Sequence, residues 1–179
     1  MTASPGDELF IRRSADFSPC RTWRYTLKRV WDRDLPVALF VLLNPSTADA
    51  RNDDPTNRRG IGYAIKWGCG GVTFVNLFAY RTPHPRILKR AEDPVGPDND
   101  EWILREAAAV AGSGPNGRVI LAWGIHGTFH HRDAKVIELL QNAGAPLWCM
   151  GLTKGGHPKH ILYLPGTLKP VEYRTEVPL

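Results

Sequence analysis

The sequence predicts an α/β protein of three layers: a central four-stranded parallel sheet with helices on both faces, preceded by an N-terminal antiparallel hairpin. Three observations carry this. Short apolar runs alternate four times with polar or amphipathic stretches, the order of strand, crossover and next strand. A chain of 179 residues, 42% hydrophobic, suffices for one core and is short for two. Glycine (17) and proline (15) exceed average usage, which favours long, shaped loops over a helical bundle. A single domain over 1–179 is expected, with a hairpin extension over 1–34 and a core over 37–165.

Residues 8–14 and 22–31 alternate apolar and polar side chains with interleaved aromatics, the period of a half-exposed hairpin. Val37 to Leu43 (VALFVLL) is continuously apolar, too short for a helix and bounded by Pro36 and Pro45, so it reads as a buried central strand. Pro55 and Thr56 open a helix to about Trp67, stopped by Gly68, Gly70 and Gly71. Val72 to Leu77 is a second buried strand, followed over 78–97 by a long, basic, proline-rich loop. Asp98 or Asn99 caps a helix to about Ala111, whose acidic first turn suits the positive end of the helix dipole. Arg118 to Trp123 makes a third strand, residues 130–142 an amphipathic helix, and Leu147 to Met150 a fourth strand.

The net charge of +5 suits an anionic partner, and its distribution is uneven. Residues 12–33 carry +5 and 81–90 carry +4, whereas 92–106 carry −5. No run is long and apolar enough for a membrane span, and the N-terminus lacks the basic-then-apolar order of a secretory signal. A cytoplasmic protein without a membrane partner is therefore expected. Cys20, Cys69 and Cys149 are odd in number and far apart, with no C-x-x-C pair. They read as reduced, mostly buried thiols, and no metal or other cofactor is expected.

Ligands of open parallel sheets bind beyond the carboxyl ends of the strands, so the residues after each strand are the candidates. Asn44, Pro45, Ser46 and Asp49 follow the first strand, with Asp53 and Asp54 further on; Asn76 ends the second, ahead of Tyr80 and Arg81. His126 follows the third, and Lys154, His157, Lys159 and His160 follow the fourth. Each has a plainer reading: Asn44 can make an Asx turn, Asn76 can satisfy backbone groups, and the loop around His157 can be a tight turn.

The order of these motifs resembles the uracil-DNA glycosylase superfamily. Leu43-Asn44-Pro45-Ser46 stands where that family's first motif ends its first core strand, and Asn44 looks like the asparagine of the mismatch-specific thymine/uracil branch. Val75-Asn76-Leu77 is similar to the strand ending in a base-reading asparagine, Ala122-Trp123-Gly124 to the LLWG strand, and His157-Pro158 to the start of the HPSPL loop. Leu42 and Leu43 depart from the motif's glycine and its neighbour, Ser46 from the following Gly or Tyr, and Lys159 from the loop serine. The sequence resembles more closely a bacterial family of unknown function marked by LNPSTAD, DDPT, DPVGP-x-ND, WG-x-HG and a GHP loop before LYL.

The glycosylase resemblance implies an α/β/α fold and hydrolysis of the N-glycosidic bond of a uracil, mismatched or modified base in DNA. Such a reaction passes through an oxocarbenium-like state, needing an oriented water and stabilised charge on the departing base. Asn44 would orient the water, Asp49, Asp53 or Asp54 would accept its proton, and His157 would donate to the leaving base. Pro45, Ser46, Asn76, Tyr80 and His126 would hold the base. Arg58, Arg59, Arg81, Arg86, Lys89, Arg90, Lys154, Lys159 and His160 would meet phosphates, and Ile161, Leu162 or Tyr163 would wedge the stack. Two alternatives use the same residues: a binding module for nucleic acid or nucleotide, and a hydrolase of a free modified nucleotide.

Overall fold

A computed structural model describes residues 12–114 and 116–174. Its single sheet contains β1 (Arg12–Phe17), β2 (Arg24–Val30), β3 (Val37–Leu42), β4 (Gly71–Asn76), β5 (Arg118–Leu121), β6 (Leu147–Cys149) and β7 (Val171–Glu172), in the order β1-β2-β4-β3-β5-β6-β7. The four central strands β4, β3, β5 and β6 are parallel, and the flanking strands are antiparallel to their neighbours. The helices are α1 (Pro55–Lys66), α2 (Pro85–Leu88), α3 (Asn99–Ala111) and α4 (Arg132–Asn142). None is long and apolar enough to cross a membrane, among the described residues.

Strand periodicity builds the layers. Leu39 and Val41 of β3 face one way and pack with Ile103, Ala107, Val136 and Leu140 of α3 and α4. Ala38, Phe40 and Leu42 face the other way and meet Ile61, Tyr63 and Ala64 of α1, with Ile161 from the C-terminal segment. Helices therefore cover both faces. Asp54 caps α1 by accepting from Asn57 N–H at 2.8 Å, and Pro55 occupies the first turn, where its missing donor costs nothing. The start of α3 differs from expectation: Asp98 makes no side-chain cap and instead accepts from Tyr25 Oη at 3.4 Å.

The hairpin is not an appendage. β2 pairs with β4 inside the sheet, so its side chains are mostly buried rather than alternately exposed. Its partner is described over Arg12–Phe17 and so continues past the expected end at 14; residues 8–11 of the expected strand lie outside the described residues. Opposite Asp16 and Phe17 the register jumps from Thr26 to Arg24, a bulge at Tyr25. The extra residue turns Tyr25 onto Trp102 of α3 and Arg24 to the opposite face. Cys69 and Cys149 are buried as expected, but Cys20 is exposed in the hairpin turn.

Candidate functional site

A cavity of about 340 Å³ lies beyond the carboxyl ends of β3 and β5. Leu42, Leu43, Asn44 and Ser46 line it from β3, and Trp123, Gly124, Ile125 and His126 from β5. These neighbouring strands feed connections in opposite directions, to β4 by way of α1 and to β6 by way of α4. The cavity thus sits at the topological switch point, where such sheets place their ligands.

Asn44 is held firmly. Its Nδ2 donates to the carbonyls of Pro45 (3.1 Å) and Thr82 (2.7 Å), while Thr82 N–H donates to Pro45 O at 3.0 Å. Both amide protons are thereby spent and Oδ1 remains the free acceptor. Asp54 also lines the cavity; one oxygen caps α1 and the other has no hydrogen-bond partner among the described residues. His160 completes the group. Its Nδ1 accepts from Leu162 N–H at 3.2 Å, so the neutral ring carries its proton on Nε2. Burial lowers its pKa, opposed by the nearby Asp54 carboxylate. His160 is therefore a neutral donor at pH 7.

Two glycines allow this packing. Gly124, beside His160, has φ +75°, a backbone conformation that strains any residue with a side chain. At Gly127 an added Cβ would stand 2.2 Å from Trp123 Cδ1, so the indole fills the place a side chain would need.

Arg24 forms part of the same wall. It is 1% exposed, its Nη1 donates to Ala48 O at 2.5 Å, and no carboxylate among the described residues is within ion-pair distance. Burial pushes its pKa down to about 10, partly offset by the more distant Asp54. Two further lining residues hold buried donors without partners among the described residues: Asn57 through Nδ2 and Trp123 through Nε1. Arg24 brings a buried positive charge to this wall, which suits a ligand that presents acceptors.

A second cavity of about 440 Å³ is lined by Arg21, Thr22, Thr47, Tyr80 and Arg81, and shares Ser46, Thr82 and Pro83 with the first. Arg21 and Arg81 both stack on Phe17, at 4.1 and 4.8 Å from the ring centre.

The structure brings together only part of the predicted set. Asn44, Ser46, His126 and His160 line the first cavity, Tyr80 and Arg81 the second, and Pro45 is buried beneath. Asp49 and Asp53 line neither. Asp49 Oδ1 accepts from the N–H groups of Arg51 and Asn52 at 2.8 Å each, bonds that lower its pKa and make it a poor base. Asp53 is held by Arg29 at 2.8 Å and Arg13 at 3.4 Å. His157 also lies outside: its backbone closes a turn with Thr153, and Leu152 bridges Pro158, so the chain reaches the cavity only at His160. Asn76 is wholly buried, with both side-chain ends unpartnered among the described residues.

The basic residues divide similarly. Arg58 Nη1 donates to Asp53 O, and Arg59 Nη2 donates to Leu164 O while its guanidinium lies 5.5 Å over the Tyr63 ring. Both serve the fold. Arg86, Lys89, Arg90 and Lys154 are exposed, and Lys159 is half-buried. Ile161 is wholly buried and cannot be a wedge, whereas Tyr163 is 90% exposed. Sequence reasoning missed Arg24, for which the signal was a cation in an aromatic-rich strand, and named Asp54 only as one of three alternative bases with Asp49 and Asp53.

No curated protein matches the chain. The profile of the family described as "Protein of unknown function (DUF1643)" matches residues 24–162, a span that runs from Arg24 past His160 and so takes in the first cavity. The chain belongs to that family.

Proposed function

We propose that the first cavity hydrolyses an N-glycosidic bond, releasing a uracil, mismatched or modified base from DNA. The observation that carries the reading is the convergence of Asn44, Asp54 and His160 on one cavity at the switch point. Asn44 Oδ1 orients the attacking water, and the free oxygen of Asp54 takes its proton, the part read from sequence for Asp49, Asp53 or Asp54. His160 Nε2–H donates to an oxygen of the departing base, the part read for His157.

Other features support the same reading. The uracil-DNA glycosylase resemblance implies a four-stranded parallel sheet, and four parallel strands run side by side here. Extruding a base from a duplex needs an exposed wedge, and Tyr163 stands close in sequence to His160. Exposed Arg86, Lys89, Arg90 and Lys154 offer charges for the phosphate backbone. A second reading, a hydrolase of a free modified nucleotide, draws on buried Arg24, which favours an anionic substituent inside the cavity.

Base release from uracil, mismatch and modified-base duplexes tests the proposal. Asn44→Ala is expected to slow release roughly 10²-fold or more with DNA affinity nearly unchanged. Wild-type protein that releases no base from any duplex of the panel overturns the catalytic assignment.

A further inference from the structure

Three guanidinium groups gather along the cleft without an ion pair to any of them among the described residues. Arg24 lines the first cavity, and Arg21 and Arg81 line the second. None of the three has an ion-pair partner among the described residues, although seven other cations do. Arg24 and Arg81 lie near enough to repel, and the carboxylate that offsets this at Arg24, Asp54, stands beyond ion-pair distance. Arg81 Nε is itself buried and unpartnered. Arg21 holds φ at +60°, a conformation glycine adopts freely and an arginine does not. Stacking on Phe17 keeps both flanking guanidinium groups in place; Arg81 Nη1 donates to Arg21 O at 3.4 Å, and the remaining side-chain N–H groups of the two are left for a ligand.

We propose that the second cavity is a phosphate subsite, in which Arg21 and Arg81 bind the phosphate of a nucleotide unit whose base lies in the first cavity. Arg24 adds the buried charge that draws the anion toward the junction of the two. Ser46, which lines both cavities, supplies a hydroxyl at that junction. A phosphate carries up to two negative charges and three acceptor oxygens, matching forked donors better than a carboxylate or a neutral base does. The inference deepens the function proposed above and rests on it for the occupant of the first cavity; phosphate binding itself does not depend on bond cleavage.

The test is a titration of the intact protein with deoxyuridine 5′-monophosphate, deoxyuridine and a trinucleotide with central deoxyuridine. Wild type is expected to bind the monophosphate about tenfold or more tighter than the nucleoside, and Arg81→Gln to remove that advantage without altering nucleoside affinity. Arg21→Gly separates binding from folding: it relieves the backbone, so the unfolding temperature holds or rises while the monophosphate advantage falls. Equal affinity of wild type for monophosphate and nucleoside overturns the subsite, as does an advantage that survives both substitutions. Tighter binding of the trinucleotide than of the monophosphate assigns the phosphate to DNA, and the reverse order to a free nucleotide; the subsite stands in either case. Phosphate-dependent binding without base release from any duplex keeps the subsite and removes the glycosylase reading.

Discussion

Arg24 and Arg29 stand on the same strand, β2, both shielded from water at 1% and 0% exposure, yet the protein treats them differently. Arg29 is fully answered: it pairs with Asp53 at 2.8 Å and donates to the carbonyls of Lys28 and Asp49 at 2.8 and 2.7 Å. Arg24 receives one carbonyl, that of Ala48, and no carboxylate. Burying a charge is costly unless it is paired and hydrogen-bonded, so the first arrangement holds the fold together and the second awaits a partner. One end of β2 is finished by the chain itself. The other end, beside the cleft, is left for a ligand.

The largest expected effect breaks the finished end. Arg29→Met leaves the Asp53 carboxylate with Arg13 at 3.4 Å in place of its shorter, fully buried partner, and should cost about 3–5 kcal/mol in urea unfolding at pH 7. A loss below about 1 kcal/mol would show that the pair does not hold this end. The same substitution at the open end should behave oppositely. Arg24→Met removes an unanswered charge, so stability is expected to stay within about 1 kcal/mol of wild type or to rise, while affinity for deoxyuridine 5′-monophosphate falls. Equal destabilisation by the two substitutions would erase the distinction between the ends.

A smaller effect sharpens the comparison through pH. His160 at the open end has a folded pKa below its ordinary value of 6.5, because burial opposes the charged ring. The unfolded chain binds the proton more readily, so this stabilisation is complete above pH 6.5 and is lost as pH falls through the folded pKa. Unfolding temperatures measured from pH 8 down to pH 5 should decline in wild type and decline less in His160→Gln. Identical profiles would remove His160 as a titrating group of the cleft.

Much of the fold was legible because parallel strands buried on both faces must be continuously apolar. The runs VALFVLL and RVILAW announced β3 and β5, and the Asp54-Pro55 start announced α1. The hairpin was misread because its pattern reports local alternation, whereas its burial comes from pairing between β2 and β4, far apart in the chain. At the site, Asn44, Ser46, His126 and His160 were legible as residues following strands. The choice among Asp49, Asp53 and Asp54 was not, since all three occupy one loop and only their partners distinguish them.

The sequence by itself determined the four parallel strands, their order along the chain and the rim on which polar residues collect, because hydrophobic periodicity and strand ends are local properties. Only the tertiary structure decided which carboxylate, which histidine and which arginine face the cleft. A bulge at Tyr25 turns Arg24 inward, and the bridge between Leu152 and Pro158 delivers His160 in place of His157. Both are consequences of register, which depends on the strand a residue meets rather than on the residues beside it.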